Sequence, residues 1–339
     1  MKTTNPSFWN KLPRPFFALA PMYDVTDAAF RRIIAKCGKP DVFFTEFVSV
    51  EGLQSKAKKK LLREFEYSEV EHPILAQVFG IDPTNFERAA VLAGELGFDG
   101  IDINMGCPER SVLKQGSCAA LINDTGRALE IIAAAKQGGE SVRSDFPVSV
   151  KTRIGLDAIV TESWISSLLK AKPAAITVHG RTAREMSKVP AHWDEIGKAA
   201  RLAAGTGTLI IGNGDVRDLD DAREKSLVYG VDGVMLGRAV FGNPWLFSER
   251  NPNTAEKLRV LAEHIRLYEL LYDHESWLVH ERGWPPKSFS VMKKHFKAYV
   301  AGFDGAHKLR AELMDTQTGT KALGVIENFL SALDDGNGA

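Results

Sequence analysis

Eight short apolar runs, most followed by an amphipathic stretch, constrain what this chain can fold into more than any other feature. They are Phe16–Ala20, Val42–Thr45, Ile74–Phe79, Gly100–Asn104, Val148–Lys151, Ala175–His179, Leu209–Asn213 and Gly233–Gly237. Most are rich in Val, Ile or Leu, as parallel strands covered on both faces are. The spacing predicts helices over Asp27–Cys37, Pro83–Leu96, Asp124–Lys136, Thr161–Lys170, Asp194–Ala204 and Leu219–Tyr229. Pro83–Leu96 carries the plainest signals, with Asp82 as cap, proline in the first turn and Gly97 as stop. Asp124–Lys136 is expected to end before Gly138-Gly139, and the lysine-rich Glu51–Phe65 to be partly loop. Eight strand–helix units read as an α/β fold, a (β/α)8 barrel. A doubly wound sheet would need a reversal of strand order that the pattern does not show.

Past Trp245 the rhythm changes. Asn253–Tyr272, Ser288–Val300, Lys308–Met314 and Lys321–Leu333 have helical spacing, with Pro285-Pro286 as a break and no strand between them. The expected division is therefore a barrel over residues 1–248 and a small all-helical domain over 249–339. A length of 339 residues suits one large barrel plus an appendage.

Hydrophobic residues make up 44% of the chain and charged ones 25%, which places it among soluble globular proteins. A formal net charge of zero argues against a uniformly basic nucleic-acid binder but leaves room for a local basic patch. Cys37, Cys107 and Cys118 form neither a disulfide framework nor a zinc spacing, so no metal is implied and a reducing, cytoplasmic setting is expected. The opening residues lack an apolar signal core and no run has the length of a membrane span.

In such barrels the reacting residues sit at the C-terminal ends of the strands. Polar or special residues occupy those ends here: Pro21-Met22, Glu46, Gln77, Asn104 and Cys107, Lys151 and Arg153, His179, Asn213, and Gly237-Arg238. A lone histidine after an apolar run is usually a satisfied core residue, but eight such coincidences on one face are not a packing pattern. The turns Gly212-Asn213-Gly214-Asp215 and Gly237-Arg238 follow the seventh and eighth runs, where these barrels commonly bind phosphate. A phosphate there leaves the mouth for a planar ring, bordered by Gln77, Asn104, Lys151 and His179. Amides and a lysine suit the polar edge of an isoalloxazine, so FMN is the fitting cofactor. No G-x-G-x-x-G loop opens a helix, so a nicotinamide dinucleotide would bind transiently. Cys107, beyond Asn104, is then placed to give a proton to carbon, a role that needs its protonated form and no strongly depressed pKa. Taken alone it fits a buried structural thiol equally well. Cys37 and Cys118 read as packing.

APMYDVTDAAFR (Ala20–Arg31), QVFGIDP (Gln77–Pro83), IDINMGCPERSV (Ile101–Val112), VKTRIG (Val150–Gly155), ITVHGRT (Ile176–Thr182), IIGNGD (Ile210–Asp215) and VMLGRAVFGNPWLF (Val234–Phe247) resemble the dihydrouridine synthases in order and spacing. The tail segment VMKKHFKAYVAGFDGAHKLRAELM (Val291–Met314) is similar to theirs as well. The resemblance implies an FMN barrel that reduces uridine in tRNA to 5,6-dihydrouridine with NADPH as reductant; it implies no protein partner and no membrane. By position Cys107 matches the proton donor to uracil C5. Pro21, Met22 and Tyr23 match the first flavin-binding turn, and Gln77, Lys151 and His179 match flavin contacts. Asn213, Gly214, Asp215, Gly237 and Arg238 match the phosphate grip, and Asn104 and Arg153 match residues at the uracil and the ring. Two departures stand out: Tyr23-Asp24 where many members have a small residue and glycine, and Cys118 where glycine or serine is common. An FMN enzyme acting on a free pyrimidine or on ribosomal RNA, and a non-catalytic RNA-binding barrel, are the competing readings.

From Arg282 to Phe303 the chain has no acidic residue, and it carries Arg282, Lys287, Lys293, Lys294, His295 and Lys297. On a helix from Ser288, Lys293 and Lys297 share a face while Val291, Phe296 and Val300 turn inward. The expected use is phosphate contact with RNA, the ordinary alternative a solvated face.

Overall fold

The computed structural model describes residues 7–336, with side chains through residue 333. Nine strands form one sheet: β1 (Phe16–Leu19), β2 (Phe43–Phe44), β3 (Val48–Ser49), β4 (Ile74–Phe79), β5 (Gly100–Met105), β6 (Val148–Arg153), β7 (Ala175–His179), β8 (Leu209–Asn213) and β9 (Gly233–Leu236). All pairings are parallel, in the order β1-β9-β8-β7-β6-β5-β4-β2. A bridge between Ala18 and Val42 closes the ring. The expected (β/α)8 barrel is therefore the observed one. β3, which pairs with β4, was not expected: two residues are too few to show a period.

Alternation within the strands divides the core. Leu75, Ala175, Ile211 and Met235 meet inside the barrel, where Trp9 and Phe16 join them. Leu19, Phe43, Ala76, Val78, Ile101, Ile103 and Val150 face outward and pack under the helices. Asp82 caps its helix as the sequence predicts, accepting from the Thr84 amide, and Asp27, expected as the first residue of its helix, caps it instead, accepting from the Phe30 amide. The helix from Thr125 does not stop before Gly138-Gly139 but continues to Val142. A Cβ on Gly138 would sit 2.2 Å from the Glu87 carbonyl oxygen of the neighbouring helix, so this glycine serves close approach rather than termination.

The helical region comprises Thr254–Tyr272, Trp277–Arg282, Met292–Tyr299, Ala306–Asp315 and Gly319–Gly336. The short Trp277–Arg282 helix was not expected. The region packs on the barrel helix Ala28–Gly38: the Phe30 ring lies 5.2 Å from that of His264 and 4.7 Å from that of His295, and the Ala28 amide donates to the Tyr272 hydroxyl. Two members of the basic run are therefore not surface charges. His295 is fully buried among aromatic rings. Lys287 is enclosed by the carboxylates of Asp24, Glu46 and Glu64. The run's missing counter-charges come from distant positions in the chain. Lys293 is half-buried, while Lys294 and Lys297 are exposed.

Candidate active site

Strand register assembles the mouth. Asn104 pairs with Lys151, Arg153 with His179, and His179 with Asn213. Residues separated by two on one strand share a face, so these positions turn into the barrel together. Lys151, Arg153, His179 and Asn213 border a cavity of about 650 Å³ whose walls also include Pro21, Met22, Gly214, Asp215, Gly237 and Arg238. Gln77, Asn104 and Cys107 are not in its wall, and Tyr23 points outward, 63% exposed, with its ring 5.7 Å from that of Phe47.

One rim is built for an anion. Gly214 has φ +129 and Asp215 φ +49, a turn that lifts the backbone toward the cavity. The Asp215 carboxylate accepts from Arg238 Nη2 at 2.6 Å, from the Ala191 amide at 2.9 Å, and from Arg181 Nη2. Burial raises the Asp215 pKa, but the Arg181 hydrogen bond and its companions outweigh it and hold the group below the ordinary carboxylate range. Asp215 therefore aims the arginines, which are the groups able to bind phosphate directly. Arg238 keeps 67% of its side chain exposed beside the cavity.

The floor is different. Burial, reinforced by Arg153, pushes Lys151 down to about 8, and no hydrogen bond to it contributes. It has no ion-pair partner among the described residues, an arrangement that fits the electron-rich edge of a bound ring. Burial and the charges of Arg153, Lys151, Arg181 and Arg238 hold His179 neutral.

Behind the cavity a buried hydrogen-bond chain fixes the thiol loop. Ser149 Oγ and Gln77 Nε2 donate to Asp102 at 2.6 and 2.7 Å. Asn104 Nδ2 donates to Gln77 Oε1 at 3.1 Å, and Asn104 Oδ1 accepts from the amides of Gly106 and Cys107, each at 3.0 Å. Arg153 Nε ties the Gly106 carbonyl from the other side at 2.7 Å. Gln77 and Asn104 thus orient the site rather than line it. The neighbouring Cys118 thiol lowers the Cys107 pKa most; burial opposes it, and the Glu109 amide, Arg153 and Lys151 add to the lowering, which brings the group down to about 6. A proton donor with no strongly depressed pKa is expected from the sequence, and here the pKa is lowered. Cys118, expected only to pack, is buried and also lies beside Cys107, whose carbonyl accepts from the Ala119 amide.

Asp102, Arg181 and Cys118 are the site residues that sequence reasoning missed. Asp102 carried a signal, an acid at an inward position between Ile101 and Ile103. Arg181 had one in its place two residues after His179.

An arginine rim at one edge and a partnerless ammonium at the floor define a barrel enzyme suited to a ring compound that carries phosphate. Comparison with known proteins narrows that class. The family model described as "Dihydrouridine synthase (Dus)" matches residues 18–334. "Probable tRNA-dihydrouridine synthase" of Staphylococcus aureus (strain Mu50) is 38% identical over 335 residues, covering 97% of each chain. "Probable tRNA-dihydrouridine synthase 2" of Bacillus subtilis (strain 168) is 38% identical over 337 residues, covering 97% of this chain and 98% of its own. The chain belongs to the dihydrouridine synthase family.

Proposed function

We propose that this protein reduces the C5–C6 double bond of uridine in tRNA to 5,6-dihydrouridine, with FMN in the barrel mouth and NADPH as transient reductant. The observation that carries the reading is the pairing of a partnerless Lys151 facing the cavity with a thiol loop fixed beside it through Asn104. Bound FMN supplies the two electrons of the reduction. Arg238, Gly237 and the turn of Asn213, Gly214 and Asp215 hold its phosphate. Pro21 and Met22 form a wall, with Tyr23 at the outer edge. Lys151 and His179 face the polar edge of the ring, with Gln77 behind them.

Cys107 delivers a proton to uracil C5, and Arg153, Lys151 and the Cys118 thiol stabilise the thiolate it leaves. Their effect makes Cys107 a stronger acid and leaves less of it protonated at neutral pH. Asn104 and Arg153 set the loop against the uracil. The target base must leave its stack to reach this depth, so the remaining RNA needs a separate hold. The helical region, residues 249–339, provides it, with Lys293 and Lys297 on phosphates.

The test is to incubate the purified protein with FMN, NADPH and unmodified tRNA and measure dihydrouridine by nucleoside mass spectrometry. Ribosomal RNA and free uridine serve as comparison substrates. Absence of product in tRNA, or preferred turnover of free uridine, would overturn the reading.

A further inference from the structure

We propose that Cys107 and Cys118 form an oxidation site, in which a hydroperoxide converts Cys107 to a sulfenic acid and Cys118 resolves it as a disulfide. The chain leaves β5 at Met105, passes through Cys107, makes an excursion and returns to Cys107. The Ala119 amide donates to the Cys107 carbonyl at 3.4 Å, setting residue 118 beside residue 107. Ser117 anchors the return, with its hydroxyl donating to the Gly80 carbonyl at 2.9 Å and its amide to the Val112 carbonyl at 3.1 Å.

Cys118 is fully buried and has φ +55, in the left-handed region that glycine adopts freely and a residue with a Cβ adopts at a cost. Packing does not call for a thiol in such a turn. The strained turn sets a second cysteine beside the first. Cys37, the third cysteine, belongs to the outer helix Ala28–Gly38 and serves as an internal control.

The two thiols differ in the way a sensor pair requires. Cys107 is half-buried, faces Arg153 and Lys151, and favours the thiolate; Cys118 is enclosed and keeps its proton. A low-pKa thiol beside a resolving cysteine is the arrangement susceptible to reversible oxidation. The Cys107 thiolate attacks the outer oxygen of the hydroperoxide. The O–O bond breaks, the alkoxide takes a proton and leaves as alcohol (water, for hydrogen peroxide), and the sulfur has lost two electrons. The Cys118 sulfur then attacks the sulfenic sulfur, and its proton leaves with the hydroxyl as water. Two thiols and one peroxide give one disulfide, one alcohol and one water. The disulfide removes the thiol from action reversibly and spares it from sulfinic acid. That consequence for turnover rests on the role proposed for Cys107, whereas the cross-link does not.

The experiment treats the full-length protein with hydrogen peroxide in the absence of RNA, blocks free thiols, and digests with trypsin. Arg110 and Lys114 lie between the two cysteines, so their peptides separate unless a disulfide joins them. The expected result is a joined Cys107–Cys118 peptide pair, lighter by two hydrogens, that dithiothreitol splits, with Cys37 left free. In Cys118→Ser the same treatment should carry Cys107 to sulfinic acid, and dithiothreitol should no longer recover its thiol. If wild-type Cys107 is oxidised without the joined peptides, or recovers equally in Cys118→Ser, the proposal falls. Wild-type chemistry alone can decide it, so a poorly folded variant does not remove the test. Joined peptides in a protein that leaves tRNA unreduced would support this site while refuting the proposed function.

Discussion

The Lys287 ammonium lies 3.2 Å from the Glu46 carboxylate, which follows β2 at the barrel mouth. Lys287 is 8% exposed and Glu46 1%, and Asp24 and Glu64 complete the cluster at 3.3 and 3.5 Å. The Tyr272 ring lies 5.4 Å from the ammonium, and Arg63 Nη1 donates to the Pro285 carbonyl at 2.7 Å. One lysine thus fastens the helical region to the mouth.

Lys287→Met should destabilise the fold by about 3 kcal/mol, because it strands a buried carboxylate cluster. Combining it with Glu46→Gln should recover part of the loss. Chemical denaturation of the two variants measures both effects. A stable Lys287→Met protein with weakened RNA binding would return Lys287 to the role of an RNA contact.

Arg238→Ala should release bound FMN. Hydrogen bonds to charged groups are worth roughly 1.5–3 kcal/mol, so Kd should rise more than about tenfold. Flavin fluorescence titration reads this directly, and an unchanged Kd would remove Arg238 from the phosphate rim.

Cys107→Ala should keep FMN and RNA affinity and lose roughly 10²–10⁴-fold in single-turnover reduction of tRNA. The pH dependence has a definite sign. A proton donor works as the thiol, and Cys107 titrates below the ordinary range because of Cys118, the Glu109 amide, Arg153 and Lys151. The wild-type rate should therefore fall with rising pH at a lower midpoint than a free cysteine would give. Cys118→Ala should move that midpoint upward. A midpoint common to both proteins would show that Cys118 does not act on the donor.

The His264 and His295 rings lie 4.6 Å apart, and none of their four nitrogens has a hydrogen-bond partner among the described residues. Burial pushes His264 down to about 3 and His295 well below its ordinary value. Below pH 6.5 the unfolded chain takes up protons that the folded one refuses. Stability is therefore full above that pH and is lost as pH falls toward the folded values, by about 2 kcal/mol per histidine at pH 5. Urea denaturation at pH 7 and pH 5 should show a smaller pH effect in His264→Phe than in wild type. Equal slopes would exclude this pair as the cause.

Lys293→Glu combined with Lys297→Glu should raise KM for tRNA and flatten its salt dependence, since fewer counterions are displaced from the phosphates. NADPH oxidation by the FMN-loaded enzyme should be unchanged. A wild-type salt slope in this variant would assign the helix to solvent.

Period and punctuation determined most of the barrel. The eight runs carried their own burial pattern, and Asn104, Lys151, His179 and Asn213 were legible because strand ends share one face in this architecture. These are local signals, readable from neighbours in the chain. Whatever depended on distant partners was not. Gly138-Gly139 looks like a helix stop until the Glu87 carbonyl lies against it. Lys287 and His295 look like surface charges until the helical region docks on Phe30 and the mouth carboxylates. Cys118 looks like packing until the loop brings it back to Cys107. Spacing along the chain sets which face a side chain occupies, but the partner opposite that face, and with it charge state and reactivity, is set only when remote segments close around it.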